Sequence, residues 1–285
     1  MFLNDRKNVI YINGRPTGRW NFINLLKNSK GKYIALCDGD DYWSNPYKIQ
    51  KQVDFLESHQ DYSLCFCNVK VIYEDPKKQS HPGYIDIKMP DGYLNTIPIP
   101  EETTDIERLA RGNYIHTPGV LFRNWIKEQG MPEYMSSVTI GDWPIHLRTA
   151  TFGKIRYFRE ALVVYRVHET GIWSTQSHAH QQRMSLLQYP PLLVSPLFSD
   201  SIKSIWKDIL PRRIAGLERS SSGDEAMRNV LNEVRIRLTD VWPTFPSALD
   251  CARKILKSPV RSVARALVAS LKLFISLFAK RRGGS

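Results

Sequence analysis

Tyr33-Ile34-Ala35-Leu36-Cys37-Asp38-Gly39-Asp40-Asp41-Tyr42-Trp43 is the stretch that decides the fold. Its first five residues form an apolar run of strand length. A run without polar alternation suits a strand covered on both faces, as in a parallel sheet. Three carboxylates follow directly. At the C-terminal end of a buried strand they stand where α/β sheets bind ligands. Carboxylates that close repel one another, and a divalent cation relieves the repulsion. Oxygen donors of this kind suit Mg²⁺ or Mn²⁺, ions usually shared with substrate phosphates. The alternative is a solvated turn whose Asp caps the next helix.

Outward from this stretch the chain alternates. Upstream, Asn8 to Ile12 reads as a short strand closed by Asn13-Gly14, and Gly18 to Asn28 carries a helical apolar period. Downstream, Ser44 or Asn45 can cap a helix with Pro46 in its first turn, running to about His59. Ser63 to Val71 is a further apolar strand. Residues 75–100 are rich in Pro, Gly and charge and are expected to form a long loop or small hairpin. A helix is expected over Thr104 to Arg111, a strand over Gly119 to Phe122, and a helix over Asp142 to Phe152 stopped by Gly153. Ile155 to Phe158 and Ala161 to Tyr165 complete the sheet. Beyond Ser174 the pattern is helical. Strand and helix in alternation is the signature of an α/β sheet.

Two further clusters carry chemistry. Gly141-Asp142-Trp143-Pro144 sets a carboxylate at a helix start, where it serves as a cap or, beside an apolar wall, as a general base. Tyr165-Arg166-Val167-His168, leading to Trp173, places a histidine just past a strand end. That histidine is either a surface residue or a third metal ligand.

The run Gly31 to Trp43, followed by Pro46-Tyr47-Lys48-Ile49-Gln50-Lys51-Gln52-Val53-Asp54-Phe55-Leu56, closely resembles bacterial family 2 glycosyltransferases of the GT-A fold. The Asp142 and His168 clusters resemble the same family in the same order, and the likeness spans roughly residues 8–190. It implies a mixed, mostly parallel sheet flanked by helices, here with a helical C-terminal extension. It also implies transfer of a sugar, hexosyltransferase-like, from a nucleotide-diphosphate donor to a hydroxyl of a glycan or lipid-linked acceptor, with inversion. On that resemblance Asp142 corresponds to the general base, and Arg19, Asp38 and Arg166 to donor-binding positions. Asp38, Asp40 and His168 correspond to metal contacts. Asp41, Trp43, Trp143 and Trp173 are the candidates for touching substrate, although each Trp is equally a core residue.

Members of the family open with a strand, a helix and a second strand that build the nucleoside pocket. The matched segment here starts almost at Met1, so those elements are expected to be missing and donor binding by this chain to be weak. That opening supports a second reading, an inactive remnant that keeps the fold as a partner-binding module.

Charge separates the front of the chain from its tail. The 285 residues carry a net charge of +12, but residues 1–200 hold 23 basic and 21 acidic side chains, and residues 201–285 hold 17 and 7. A body so balanced does not suit nucleic acid. The expected units are a glycosyltransferase domain over 1–190, a helical extension over 191–246 and a basic amphipathic helix over 247–285. In the last, Lys254, Arg261 and Arg265 fall on one side and Leu256, Val263 and Leu267 on the other. Such a helix lies on an anionic bilayer surface or packs on the protein itself. The four cysteines make no disulfide framework or zinc spacing, and neither a secretory leader nor a membrane span of about 18 apolar residues is visible. A cytoplasmic protein, peripheral at the inner membrane face, is therefore expected.

Overall fold

The computed structural model describes residues 8–12, 15–74, 83–85, 102–169, 171, 173 and 176–245. Chain order begins with a two-stranded ribbon, β1 (Tyr11–Ile12) and β2 (Arg15–Pro16), followed by α1 (Arg19–Asn28). Next come β3 (Tyr33–Ala35), β4 (Tyr42–Trp43), α2 (Lys48–Ser58) and the long β5 (Tyr62–Tyr73). β6 (Gly83–Ile85), β7 (Thr103–Thr104), α3 (Ile106–Ala110), β8 (Val120–Arg123) and α4 (Ile126–Gln129) lead to α5 (Asp142–Ala150) and β9 (Lys154–Val167). Four helices follow: α6 (His178–Leu186), α7 (Tyr189–Val194), α8 (Asp200–Ser220) and α9 (Glu225–Val241).

The main sheet runs β3-β8-β5-β9-β4, with β6 added to β5 and β7 to β9. The mixed α/β architecture expected from the sequence is present, but the parallel share is smaller than expected. Among the described strands, β5 and β9 alone pair in parallel. β3 in particular lies at one end of the sheet, antiparallel to β8, with Ile34 opposite Phe122. Only Ile34 of its three residues is buried. Its apolar run is short because Leu36 and Cys37 already leave the ladder for the acidic loop.

β5 is the strand buried on both faces. Leu64 and Phe66 point into the large cluster shared with the helices, and Cys65 points the other way onto Leu56 of α2 and Leu121. The segments expected as two strands, 155–158 and 161–165, form one strand. Its register against β5 jumps from Cys67↔Phe158 to Asn68↔Ala161, a bulge that absorbs Arg159 and Glu160. Two other expectations shift. The strand foreseen over 8–12 is confined to Tyr11–Ile12 and pairs only within its ribbon. Helix α2 starts at Lys48, because the Asn45 side chain accepts from Tyr47 N at 2.8 Å and holds a turn there instead.

The helix expected to run to Phe152 and stop at Gly153 ends at Ala150 with Thr151 as its cap, and Gly153 serves the next strand instead. A Cβ there would lie 2.6 Å from the Asp61 carbonyl oxygen, so the entry into β9 can approach β5 only with hydrogen at this position.

The C-terminal helices belong to the same core. Trp206 of α8 is fully buried, donates its indole N–H to Ala110 O at 3.1 Å and meets Trp143, Tyr189 and Phe198 edge to face. α9 buries Met227, Val230, Leu231, Val234 and Leu238, a helical stripe. Gly223, at φ +98°, makes the left-handed turn before the Asp224 cap that starts it. Position 190 falls inside α7. Among the described residues no helix is long and apolar enough to cross a membrane. The basic helix expected over 247–285, with Cys251, lies outside the described residues.

Candidate active site

The acidic loop between β3 and β4 is a tight turn in which Asp41 N donates to Asp38 O at 3.1 Å. β4 then pairs with β9, Tyr42 opposite Val164, which brings the loop beside the end of β9. Two residues there secure it. Arg166 donates its backbone N–H to Asp41 Oδ1 at 2.9 Å and Nη1 to Asp40 O at 3.3 Å, while Nη2 pairs with Glu74. His168 Nε2 stands 2.9 Å from Asp40 Oδ2. Arg166, expected at the donor, thus braces the loop instead of facing the cleft.

Carboxylate crowding shows in the electrostatics. Desolvation, then the charges of Asp142, Asp41 and Asp40, push the Asp38 carboxyl up to about 6. Asp41 is raised to about 6 as well, mainly by burial, against the opposing hydrogen bond from Arg166. Asp41 is buried, and its Oδ2 has no hydrogen-bond partner among the described residues. The loop therefore carries more negative charge than its protein neighbours neutralise.

Asp142 opens α5, where the helix N-terminus favours a negative charge. Asn113 Nδ2 donates to Asp142 Oδ2 at 3.1 Å, and Oδ1 has no partner among the described residues. Beside it lies Arg19, 5% exposed, with Nε and Nη1 likewise unpaired among the described residues. Burial lowers its pKa to about 10, with the Asp142 charge acting the other way. The guanidinium fits because residue 141 is glycine. A Cβ there would come within 2.8 Å of Arg19 Nη1 and 3.0 Å of the Phe22 ring.

These groups meet in a cleft of about 540 Å³. Arg19, Asp38, Asp142, Trp143 and Trp173 all line it, so five of the residues singled out in the sequence are brought together. Asp40, Asp41, His168 and Arg166 form the adjoining loop cluster and do not line the cleft. Trp143 is 3% exposed, with its indole N–H on Leu109 O, so it forms core and cleft floor and offers no free ring face for stacking. Trp43 lies outside the lining. It is half-exposed and held by a hydrogen bond to Pro118 O. Among the described residues no three His, Cys, Asp or Glu side chains gather closely enough to hold a metal ion.

Sequence reasoning missed Asn113, His116 and the wall from the C-terminal helices, where His180, Arg183, Gln188 and Arg213 reach the cleft. Asn113 carries no local signal, since its partner lies in a helix far along the chain. Arg213 does carry one. It interrupts the buried stripe of α8 between Leu210 and Ile214, a cation where an apolar residue is expected.

Residues 3–129 match the family described as Glycosyl transferase family 2. Curated relatives include the uncharacterized proteins Rv1520 of Mycobacterium tuberculosis (strain H37Rv) and Mb1547 of Mycobacterium bovis. Each is 34% identical over 153 residues, covering 54% of this chain and 40% of the relative. The chain thus spans less than half the length of the curated relatives it matches.

Proposed function

We propose, on the premise that the chain belongs to glycosyl transferase family 2 through residues 3–129, that it moves a sugar from a nucleotide-diphosphate donor to an acceptor hydroxyl with inversion. The acceptor is a glycan or lipid-linked glycan of cell-surface polysaccharide synthesis. The observation that carries this reading is the meeting of Asp38, Arg19 and Asp142 in one cleft. These are a donor-side carboxylate, a cation and a base with one oxygen that has no partner among the described residues.

In this reading Asp142 Oδ1 accepts the proton of the acceptor hydroxyl as that oxygen attacks the anomeric carbon. The bond from that carbon to the diphosphate breaks, and its electron pair leaves with the diphosphate. Asn113, on Oδ2, fixes the carboxylate plane, and Arg19 offers Nε and Nη1, which have no partner among the described residues, to the donor's anionic part. The donor set of the loop, carboxylate oxygens with one imidazole, fits Mg²⁺ or Mn²⁺. The surplus charge that raises Asp38 and Asp41 is what such a cation would relieve. Asp40 and His168 would supply two of its ligands, and the other positions would fall to water and the donor's phosphate oxygens, as is usual for such ions. When bound, it neutralises charge developing on the leaving diphosphate.

Asp142→Asn and Asp40→Asn test the proposal in the full chain. Asp142→Asn should lower nucleotide-sugar turnover by about 10²-fold or more with donor affinity retained. Asp40→Asn should abolish turnover. If neither changes it, the partner-binding remnant is the better reading.

A further inference from the structure

Two oxygen atoms on residues lining the cleft accept no hydrogen bond among the described residues, Asp142 Oδ1 and Gln188 Oε1. Gln188 is 3% exposed and lies beyond the matched segment 3–129. It stands at the N-cap of α7, yet its side chain makes no cap bond. A buried amide oxygen without a donor costs free energy, and a ligand hydrogen relieves that cost.

His116 lines the same cleft. The loop that carries it is held at several points. Ile115 N donates to Asn113 Oδ1 at 3.1 Å, Gly119 N to His116 O at 3.0 Å, and Gly119 O accepts from Gln52 Nε2 at 2.9 Å. The His116 ring packs 5.8 Å from that of Tyr165 and lies near enough to Asp142 to feel its charge. Burial outweighs that charge and lowers the imidazole to about 4, so at neutral pH it carries one N–H and one lone pair.

Two acceptor oxygens and an imidazole around one cleft match a ligand rich in O–H groups, since each hydroxyl both donates and accepts. We propose that the cleft takes the acceptor as a sugar with at least two free hydroxyls, the attacking one held by Asp142 Oδ1 and His116 and a second by Gln188. His116 and Gln188 then select the acceptor, and a lone alcohol such as a serine side chain binds less well. Naming this sugar the acceptor rests on the glycosyl-transfer reading; the hydroxyl site itself does not.

Methyl glycosides of glucose, galactose, mannose and N-acetylglucosamine, titrated into the full chain with EDTA present and followed by saturation-transfer NMR, test it. At least one should bind the wild type. Gln188→Met should weaken that glycoside about three- to tenfold, the worth of one neutral hydrogen bond. The same variant should melt no lower than the wild type, because a buried unpaired oxygen is removed. A purely structural glutamine would move the melt and not the affinity. His116→Phe, which keeps the ring packing, should weaken the same glycoside by a similar factor; His116→Leu is read in its place if circular dichroism shows that variant unfolded. In the monodeoxy series of that glycoside, one member should bind wild type and Gln188→Met alike, since it lacks the hydroxyl that Gln188 takes. Four results overturn the proposal: no glycoside binding, unchanged affinity in a folded variant at either position, a lower melting temperature for Gln188→Met, or a monodeoxy series whose every member distinguishes the two proteins. If the tests are passed while Asp142→Asn leaves turnover untouched, the sugar site stands and glycosyl transfer falls. If turnover depends on Asp142 and no glycoside binds, the acceptor site falls alone.

Discussion

His168 Nε2 meets Asp40 Oδ2 at 2.9 Å, an imidazole just beyond β9 against a carboxylate of the β3–β4 loop. The pairing of β4 with β9 brings these distant positions together, and the Arg166 bonds to Asp40 and Asp41 keep them there. His168→Ala should therefore weaken Mn²⁺ binding by about tenfold or more without changing the melting temperature greatly. Calorimetric titration with MnCl₂ reads the first quantity and thermal unfolding in EDTA the second. Equal Mn²⁺ affinity in the two proteins would mark the pair as a structural hydrogen bond.

His146 gives a pH prediction. It is fully buried on α5, neither ring nitrogen has a partner among the described residues, and burial lowers its pKa to about 4, with Asp142 pulling the other way. The unfolded chain takes up this proton near pH 6.5 and the folded chain only near 4. Stability from this group is complete above 6.5 and is lost as pH falls toward 4, by on the order of 3 kcal/mol. Asp38 and Asp41 act oppositely, since their raised values remove stability as pH climbs through about 6. The test is thus a difference. His146→Leu should match or exceed the wild-type melting temperature at pH 7.5, and its advantage should grow steadily down to pH 4.5. A constant gap across that range would refute the assignment.

What the sequence could disclose follows from distance along the chain. The acidic loop, α1, β5, β8 and α5 are set by local apolar period, caps and turn residues, and each was legible. β3 departs from expectation in burial and in direction, because an apolar run reports neither its place in the sheet nor its partner; its end position and antiparallel pairing with β8 are non-local choices. The break read between Phe158 and Ala161 is real as a bulge, but the continuity of β9 through it depends on β5. Asn113 at Asp142 needs the whole sheet to bring it there. Arg213 was legible in principle, as a cation inside the stripe that runs through Leu210 and Ile214.

Gly141 makes room for Arg19, and a methyl group tests that relationship. Ala at 141 would place carbon 2.8 Å from Nη1 and 3.0 Å from the Phe22 ring. The guanidinium can swing aside, whereas the ring must shift, so stability should drop by about 1–2 kcal/mol. The larger effect should be functional, a rise in donor KM with kcat changed less, because Arg19 leaves its position beside Asp142. Steady-state kinetics of Gly141→Ala decide this. A fall in kcat at constant KM would show that Arg19 does not contact the donor.

Trp206 tests whether the C-terminal helices are an appendage or part of the domain. Its buried ring joins α8 to Trp143 beside the candidate base, to Tyr189 of α7 and, through its indole N–H, to Ala110 of α3. Removing such a ring leaves a cavity among side chains that cannot close over it, so Trp206→Ala should cost about 3–5 kcal/mol. Trp206→Phe should cost less, keeping most of the packing but losing the bond to Ala110 O. A chain ended after residue 195 would expose the same surface, with Trp143 and Tyr189 facing water, and should not unfold cooperatively. Denaturant titration of the substitutions and a thermal melt of the shortened chain provide the measurement. A sharp transition in the shortened chain, with Asp142-dependent activity preserved, would show that the first 195 residues fold alone and that α8 and α9 only dock on them.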